Sequence, residues 1–358
     1  MGFIEMAEEE TQITVVVIVH NAEHYVERCL NSLVNQDCQQ FRLILVDDGS
    51  QDCSREICRT MVSRMKGSVR LLELPHGGVA NARNCGLKQV ETPYVLLLDG
   101  DDWLEPNTIS NMIELIKDYR PELAVFGFYY ELTNGGQHLL HSHTQRKLLT
   151  RESIMAQFVS LWNSGLMYSC CNKLLSVPFL RKHQIMFQNM NFGEDLEFCK
   201  DVMRTCARLV FSDQCFYHYT CHIRGSLSTR YREDLFELRR KEHYRFEQYF
   251  QELGCLDNCA EEYLSRRYIE RLVGCVENEC SPESEKPLRQ RLEKIRQILN
   301  DSYTAPCASN AKLTSLRMKL LVFPIRRKWH RITLLSGYVM SVCRNRLPAL
   351  FAWLKMNR

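Results

Sequence analysis

Tyr94-Val95-Leu96-Leu97-Leu98-Asp99-Gly100-Asp101-Asp102-Trp103 sets an apolar run directly against three acids within four positions. Pro93 precedes the run and the acids end it, so it reads as a short buried strand. Acids at the carboxyl end of such a strand stand where open α/β sheets place their ligands. Neighbouring carboxylates repel one another unless a cation joins them, and a hard divalent ion carrying phosphate oxygens suits them. Asp-Gly is also ordinary turn chemistry, so this stretch alone supports a turn as well as a metal site.

The residues before it decide between the two. Ile13-Thr14-Val15-Val16-Val17-Ile18-Val19 is β-branched throughout, as a central strand covered on both faces would be. Phe41 to Val46 reads as a second strand that stops at Asp47-Asp48-Gly49-Ser50, and Val69 to Leu74 as a third. Helical patterns lie between them. One opens at Asn21, a good N-cap, and runs to Asn35 with Tyr25, Val26, Cys29, Leu30 and Leu33 on one face. Another carries Ile57, Met61 and Met65, and a third runs from Val79 to Lys88 behind Gly77-Gly78. Strand and helix alternate as in a doubly wound, mostly parallel α/β sheet. Right-handed crossovers bring His20-Asn21, Asp47-Asp48 and Asp99-Asp101-Asp102 to one edge, which favours a ligand site.

The first turn has neither G-x-G-x-x-G nor G-x-x-x-x-G-K-[ST], which argues against a dinucleotide dehydrogenase and a P-loop NTPase. Carboxylates can instead accept from a base imide or from ribose hydroxyls, and Arg83 can offer a fork to a diphosphate. Thr14 to Asn21, Leu45-Val46-Asp47-Asp48-Gly49-Ser50, Gly78 to Leu87 and Leu97-Leu98-Asp99-Gly100-Asp101-Asp102-Trp103 together resemble the family 2 glycosyltransferases, of the bacterial cell-surface polysaccharide type. The resemblance is dense from residue 13 to about 110 and weaker to about 230. Ile18 and His20 stand where members often have Pro and Tyr or Phe. It implies a GT-A fold and inverting, nucleotide-sugar-dependent transfer. It also implies nucleotide contacts from Val19, Asn21, Asp47, Asp48, Arg83 and Asp99, with Asp48 reading the base, typically uracil. Asp99-Gly100-Asp101 matches the DxD motif, so Asp101 or its neighbour Asp102 would hold Mg²⁺ or Mn²⁺.

Farther along, Asn191-Phe192-Gly193-Glu194-Asp195-Leu196 places acids at the start of a helix. They would complement the helix dipole in any fold, but an inverting transfer also needs one carboxylate as general base. The Gly-Glu-Asp sequence resembles the family's base motif, which makes Asp195 the candidate, supported by Glu194. By the same resemblance Lys173, in Asn172-Lys173-Leu174, lies on the acceptor side, and Arg224 belongs to a loop that closes over the diphosphate.

The chain has 358 residues, 45% of them apolar, enough for a sizeable core. From Ser302 to Arg358 there are eleven Lys and Arg and no Asp or Glu, whereas the rest carries 35 basic and 43 acidic groups. We therefore expect three regions: a GT-A domain over 1–230, a helical region over 231–300, and a basic, apolar tail over 301–358. Such a tail suits an anionic membrane surface first, with nucleic acid or a helix packed on the body as the other readings. The seventeen cysteines show no CxxC spacing, and the acidic N-terminus lacks a signal-peptide layout, so reduced thiols in the cytoplasm are expected, with peripheral attachment at the inner face of the cell membrane. The expected partners are a nucleotide-sugar donor, with UDP as the nucleotide, and a glycan or lipid-linked glycan acceptor. Two other classes compete with this reading: a non-catalytic nucleotide-sugar or glycan-binding module, and a nucleotidyltransferase.

Overall fold

The structure, a computed structural model, describes residues 11–65, 67–132, 138–141, 146–190, 192–221 and 230–346. The chain forms two compact units, Met1–Cys221 and His222–Arg358. The first unit begins with β1 (Ile13–Val19), α1 (Val26–Val34), β2 (Phe41–Asp48), α2 (Ser54–Val62), β3 (Val69–Leu74), α3 (Val79–Lys88) and β4 (Tyr94–Asp99). It continues through β5 (Trp103–Leu104), α4 (Thr108–Tyr119), β6 (Leu123–Leu132), β7 (His138–His141) and β8 (Lys147–Thr150). It closes with α5 (Arg151–Ala156), α6 (Phe158–Asn163), β9 (Lys173–Ser176), α7 (Val177–Lys182), α8 (Glu194–Thr205) and β10 (Arg208–Cys221).

The strands form one sheet in the order β3-β2-β1-β4-β9-β6-β10-β5, with β7 added on β6 and β8 on β10. Every residue of β1 is buried, as its unbroken β-branched run requires when helices cover both faces. Its register fixes the site edge: Val19 lies opposite Asp47 on β2, and Ile18 opposite Asp99 on β4. The two acidic turns therefore start at one level. Helix α3 packs close to this edge because position 86 is glycine; a Cβ there would collide with Val16 and press Val46 Cγ2 at 3.3 Å. Beyond β4 the sheet becomes mixed. β9 runs antiparallel to both β4 and β6, whereas β10 runs parallel to β6.

Helix α1 begins later than expected. The chain first turns over Ala22 to Tyr25, and Asn21 adopts a positive φ of 49°, so it is not the N-cap. Its side chain serves the neighbouring loop instead, where Oδ1 accepts from the Gln51 amide at 2.8 Å.

The second unit is helical: α9 (Leu235–Glu252), α10 (Asn258–Glu279), α11 (Leu288–Asn300), α12 (Thr304–Asn310), α13 (Leu316–Arg326) and α14 (His330–Arg346). Ile269, Leu272 and Val276 of α10 share one core with Ile298 of α11, Val322 of α13 and Leu334 of α14. The change of composition near residue 301 is thus no structural boundary. The basic segment through Arg346 is built into the helical unit rather than trailing from it, and the first unit ends at Cys221 rather than near 230. Residues 347–358 lie outside the described residues.

Candidate active site

Arg83 projects from α3 and is 3% exposed. Its Nη2 donates to Asp99 at 2.9 Å to Oδ1 and 3.2 Å to Oδ2, while Nη1 donates to Asp195 Oδ1 and lies 3.6 Å from Glu194 Oε1. One guanidinium thus joins the end of β4 to the first turn of α8, across 112 residues of chain. Burial works to lower the Arg83 pKa; the attraction of Asp195 and Asp99 outweighs it and raises it, so the group stays charged. Glu194 is pushed up, first by burial and then by the charge of Asp195.

The approach of α8 is fixed by packing. Asn84, next to Arg83, donates to the Phe187 carbonyl at 2.7 Å and accepts from its amide at 2.9 Å. The Phe187 ring stacks on Phe198 of α8 at 4.0 Å and lies under the Arg83 guanidinium at 5.1 Å. Asp195 is held only through Oδ1, which faces Arg83 and the Cys170 thiol at 3.5 Å; among the described residues Oδ2 has no partner.

The three acids after β4 separate into different environments. Asp102 is 1% exposed and is enclosed by β10: Tyr217 donates its hydroxyl to Oδ2 at 2.5 Å and the Thr220 amide to Oδ1 at 2.7 Å. Burial, followed by repulsion from Asp101 and Asp99, pushes its carboxyl up. Asp102 therefore fastens the turn after β4 to β10, and both of its carboxylate oxygens are engaged by that strand. Asp101 is half-buried, and its carbonyl accepts from Arg28 Nη2 at 3.1 Å and Thr220 Oγ1 at 2.5 Å. Gly100 is required between the acids because a Cβ would lie 2.9 Å from the Ile18 carbonyl oxygen. Asp99 is committed to Arg83 and to the Cys171 thiol at 3.4 Å. Asp99 and Asp102 are thus engaged within the protein; a carboxylate such as Asp101 could serve a hard cation that takes its other oxygens from phosphate and water.

At the second strand end both acids are buried. Asp47 binds Arg55 at 2.8 Å. Asp48 accepts from the Gly77 amide at 2.8 Å, the Gly78 amide at 2.9 Å and His76 Nδ1 at 3.0 Å. It caps the amides at the entry to α3 from across the sheet, a service that Gly78 cannot provide itself. At 1% exposure Asp48 would reach a base only if the 76–78 loop shifted. Val19 is fully buried, so only its main chain can reach a ligand. His20 stacks on His76 at 4.2 Å. With Asp48 these two form the trio of possible metal-ligand atoms within 4.8 Å found among the described residues, but each histidine Nδ1 lies within hydrogen-bond distance of Asp48.

Residues 14–183 match the model of glycosyl transferase family 2. This part of the chain is a family 2 glycosyltransferase domain. The glycosyltransferase GlyA of Streptococcus pneumoniae is 29% identical over 224 residues, which span 61% of this chain and 32% of GlyA. The uncharacterized glycosyltransferase EpsJ of Bacillus subtilis is 24% identical over 293 residues, 80% of this chain and 83% of EpsJ. The crystal structure of Staphylococcus aureus TarS 1–349 in complex with UDP-GlcNAc superposes with a TM-score of 0.61 at 20% identity, over 94% of this chain and 92% of that one. The fold is GT-A with a helical C-terminal region.

Two features of the transferase domain were not evident in its sequence. Cys170 and Cys171 lie under the site with their sulfurs 3.7 Å apart, one facing Asp195 and the other Asp99. Burial raises the Cys170 thiol to about 11, and contact with Cys170 followed by burial raises Cys171, so both remain protonated donors. Lys173, expected on the acceptor side, is 0% exposed. Its ammonium donates to the Leu166 carbonyl and to Asn172 Oδ1, each at 2.8 Å, and to the Ser169 carbonyl. It ties down the turn that carries the two cysteines and cannot touch an acceptor. Arg224 lies outside the described residues.

Proposed function

We propose that the protein transfers a sugar from a nucleoside diphosphate-sugar, in our reading a hexosyl or N-acetylhexosaminyl UDP-sugar, to a hydroxyl of a glycan or lipid-linked glycan, with inversion at the anomeric carbon. The observation that carries this reading is the presentation of Asp195, anchored at Oδ1 by Arg83 and open at Oδ2. In this reaction the acceptor oxygen bonds to the anomeric carbon as the bond to the diphosphate breaks, and the hydroxyl proton passes to Asp195 Oδ2. Arg83 keeps Asp99 as counter-ion when Asp195 is neutralised, so no buried charge is left alone. Asp101 would hold Mg²⁺ or Mn²⁺, which when bound neutralises charge on the leaving diphosphate. Support for a UDP-linked donor comes from the UDP-GlcNAc complex of TarS.

The test is release of UDP from a panel of UDP-sugars with Mn²⁺ and glycan acceptors. The wild type is expected to turn over a donor and to stop on chelation of the metal. Asp195→Asn should bind the donor but lose about 10²–10⁴-fold in kcat, the usual weight of a general base. UDP binding without turnover of any donor would make the protein a binding module. Pyrophosphate release from UTP and a sugar phosphate would make it a nucleotidyltransferase.

A further inference from the structure

Helices α13 and α14 are apolar on two sides. Their inner side, with Met318, Val322, Ile325 and Leu334, belongs to the core of the helical unit. On the outer side of α13, Leu316, Leu320 and Phe323 recur at helical spacing and are 49–71% exposed. On α14, Ile332, Leu335, Val339 and Val342 do the same at 48–62%. Trp329 packs edge-on against Phe323 at 5.4 Å, so the two stripes meet at the turn between the helices. A surface helix normally turns polar residues outward, and a contiguous exposed apolar patch marks a docking face.

The polar residues around these stripes point to the occupant. From Leu316 to Arg346 the chain carries eight Lys and Arg and no acid. Lys319, Arg327 and Arg331 are exposed beside the stripes, and Arg327 lies 5.8 Å from the Phe323 ring. A second copy docking on this face about a two-fold axis would set Lys319, Arg327 and Arg331 of one copy against the same residues of the other. Nucleic acid would match the charge but leave the aliphatic rows uncovered. An anionic lipid surface matches both: the apolar side chains enter the acyl boundary while Lys and Arg reach the headgroups. No helix among the described residues is long and apolar enough to cross a membrane, so the fit is to a surface.

We propose that the outer face of α13 and α14 docks the protein onto an anionic phospholipid bilayer. This is independent of the proposed transfer reaction, although it would bring the chain to a lipid-linked acceptor. The full chain should co-sediment with mixed phosphatidylglycerol–phosphatidylcholine vesicles, more weakly as salt rises, and little with phosphatidylcholine alone. The double variant Leu320→Gln, Leu335→Gln should bind the mixed vesicles at least about tenfold more weakly. Lys319→Gln and Arg331→Gln should each cost about fivefold and flatten the salt dependence. All these side chains are exposed, so an unchanged far-ultraviolet circular dichroism spectrum serves as the folding control. Three outcomes overturn the proposal: no binding to the mixed vesicles, binding that survives the leucine substitutions, and self-association of the free chain lost in that variant without any vesicle binding.

Discussion

Arg83 is the residue on which the candidate site turns, because it is the cation shared by acids from two distant elements. A guanidinium can serve Asp99 through Nη2 and Asp195 through Nη1 at once; an ammonium is a single point and cannot span both. Arg83→Lys is therefore expected to fold but to misplace Asp195, lowering kcat by about 10²-fold, the scale of a misplacement of about 1 Å. Arg83→Met removes the charge and leaves two carboxylates facing each other. That should cost about 3–5 kcal/mol in urea unfolding, as when a buried pair loses one partner. A lysine variant of wild-type activity would show that the bridge has no part in catalysis.

At the scale of elements, the DxD turn belongs to β4 but is shaped by β10. Asp101 and Asp102 are the same residue type in adjacent positions, and they separate because Tyr217 and Thr220 enclose one of them. Tyr217→Phe takes a hydroxyl from a buried carboxylate. It should cost about 1–3 kcal/mol of stability and loosen the Asp101 carbonyl that Thr220 holds from the same strand, so the Mn²⁺ concentration needed for half-maximal activity should rise. Unchanged stability and metal dependence would show that Asp102 is held without Tyr217. The same contrast explains what was legible in the sequence. The run Ile13 to Val19 and the acids at 47–48 and 99–102 are local signals, and register alone then sets Val19 opposite Asp47 and Ile18 opposite Asp99. The direction in which a carboxylate or an ammonium turns is not local. Asp102 answers to a strand 115 residues away, and Lys173 is buried against carbonyls of its own turn, so a lysine expected on the acceptor side becomes a strut. The composition break near residue 301 misled for a related reason: charge marks an outward face, whereas the unit is defined by the inward one.

At the scale of the molecule, the helical unit carries a pH dependence of its own. His243 on α9 is 3% exposed, between the rings of Tyr268 at 4.7 Å and Tyr303 at 4.8 Å, and among the described residues its Nδ1 has no hydrogen-bond partner. Burial first, and the positive charge of Arg267 second, hold its pKa down to about 4. In the unfolded chain the same imidazole titrates near 6.5. Between those values the unfolded chain holds a proton that the folded one does not, so stability is complete above about 6.5 and falls as the pH drops towards 4. The shift corresponds to about 3 kcal/mol over the whole window. The neighbouring Glu242 adds loss in the same direction at lower pH. Burial works to raise its carboxyl, but Arg267 and Arg239 outweigh it and hold it well below the usual carboxylate range, so its contribution goes only as the pH falls below about 4.5. The urea midpoint of the full chain should therefore fall between pH 7 and pH 5. His243→Phe, which keeps both ring contacts and removes the titrating group, should flatten that fall. A wild-type midpoint that does not move over this range, or a variant that falls as steeply, would remove His243 as its source.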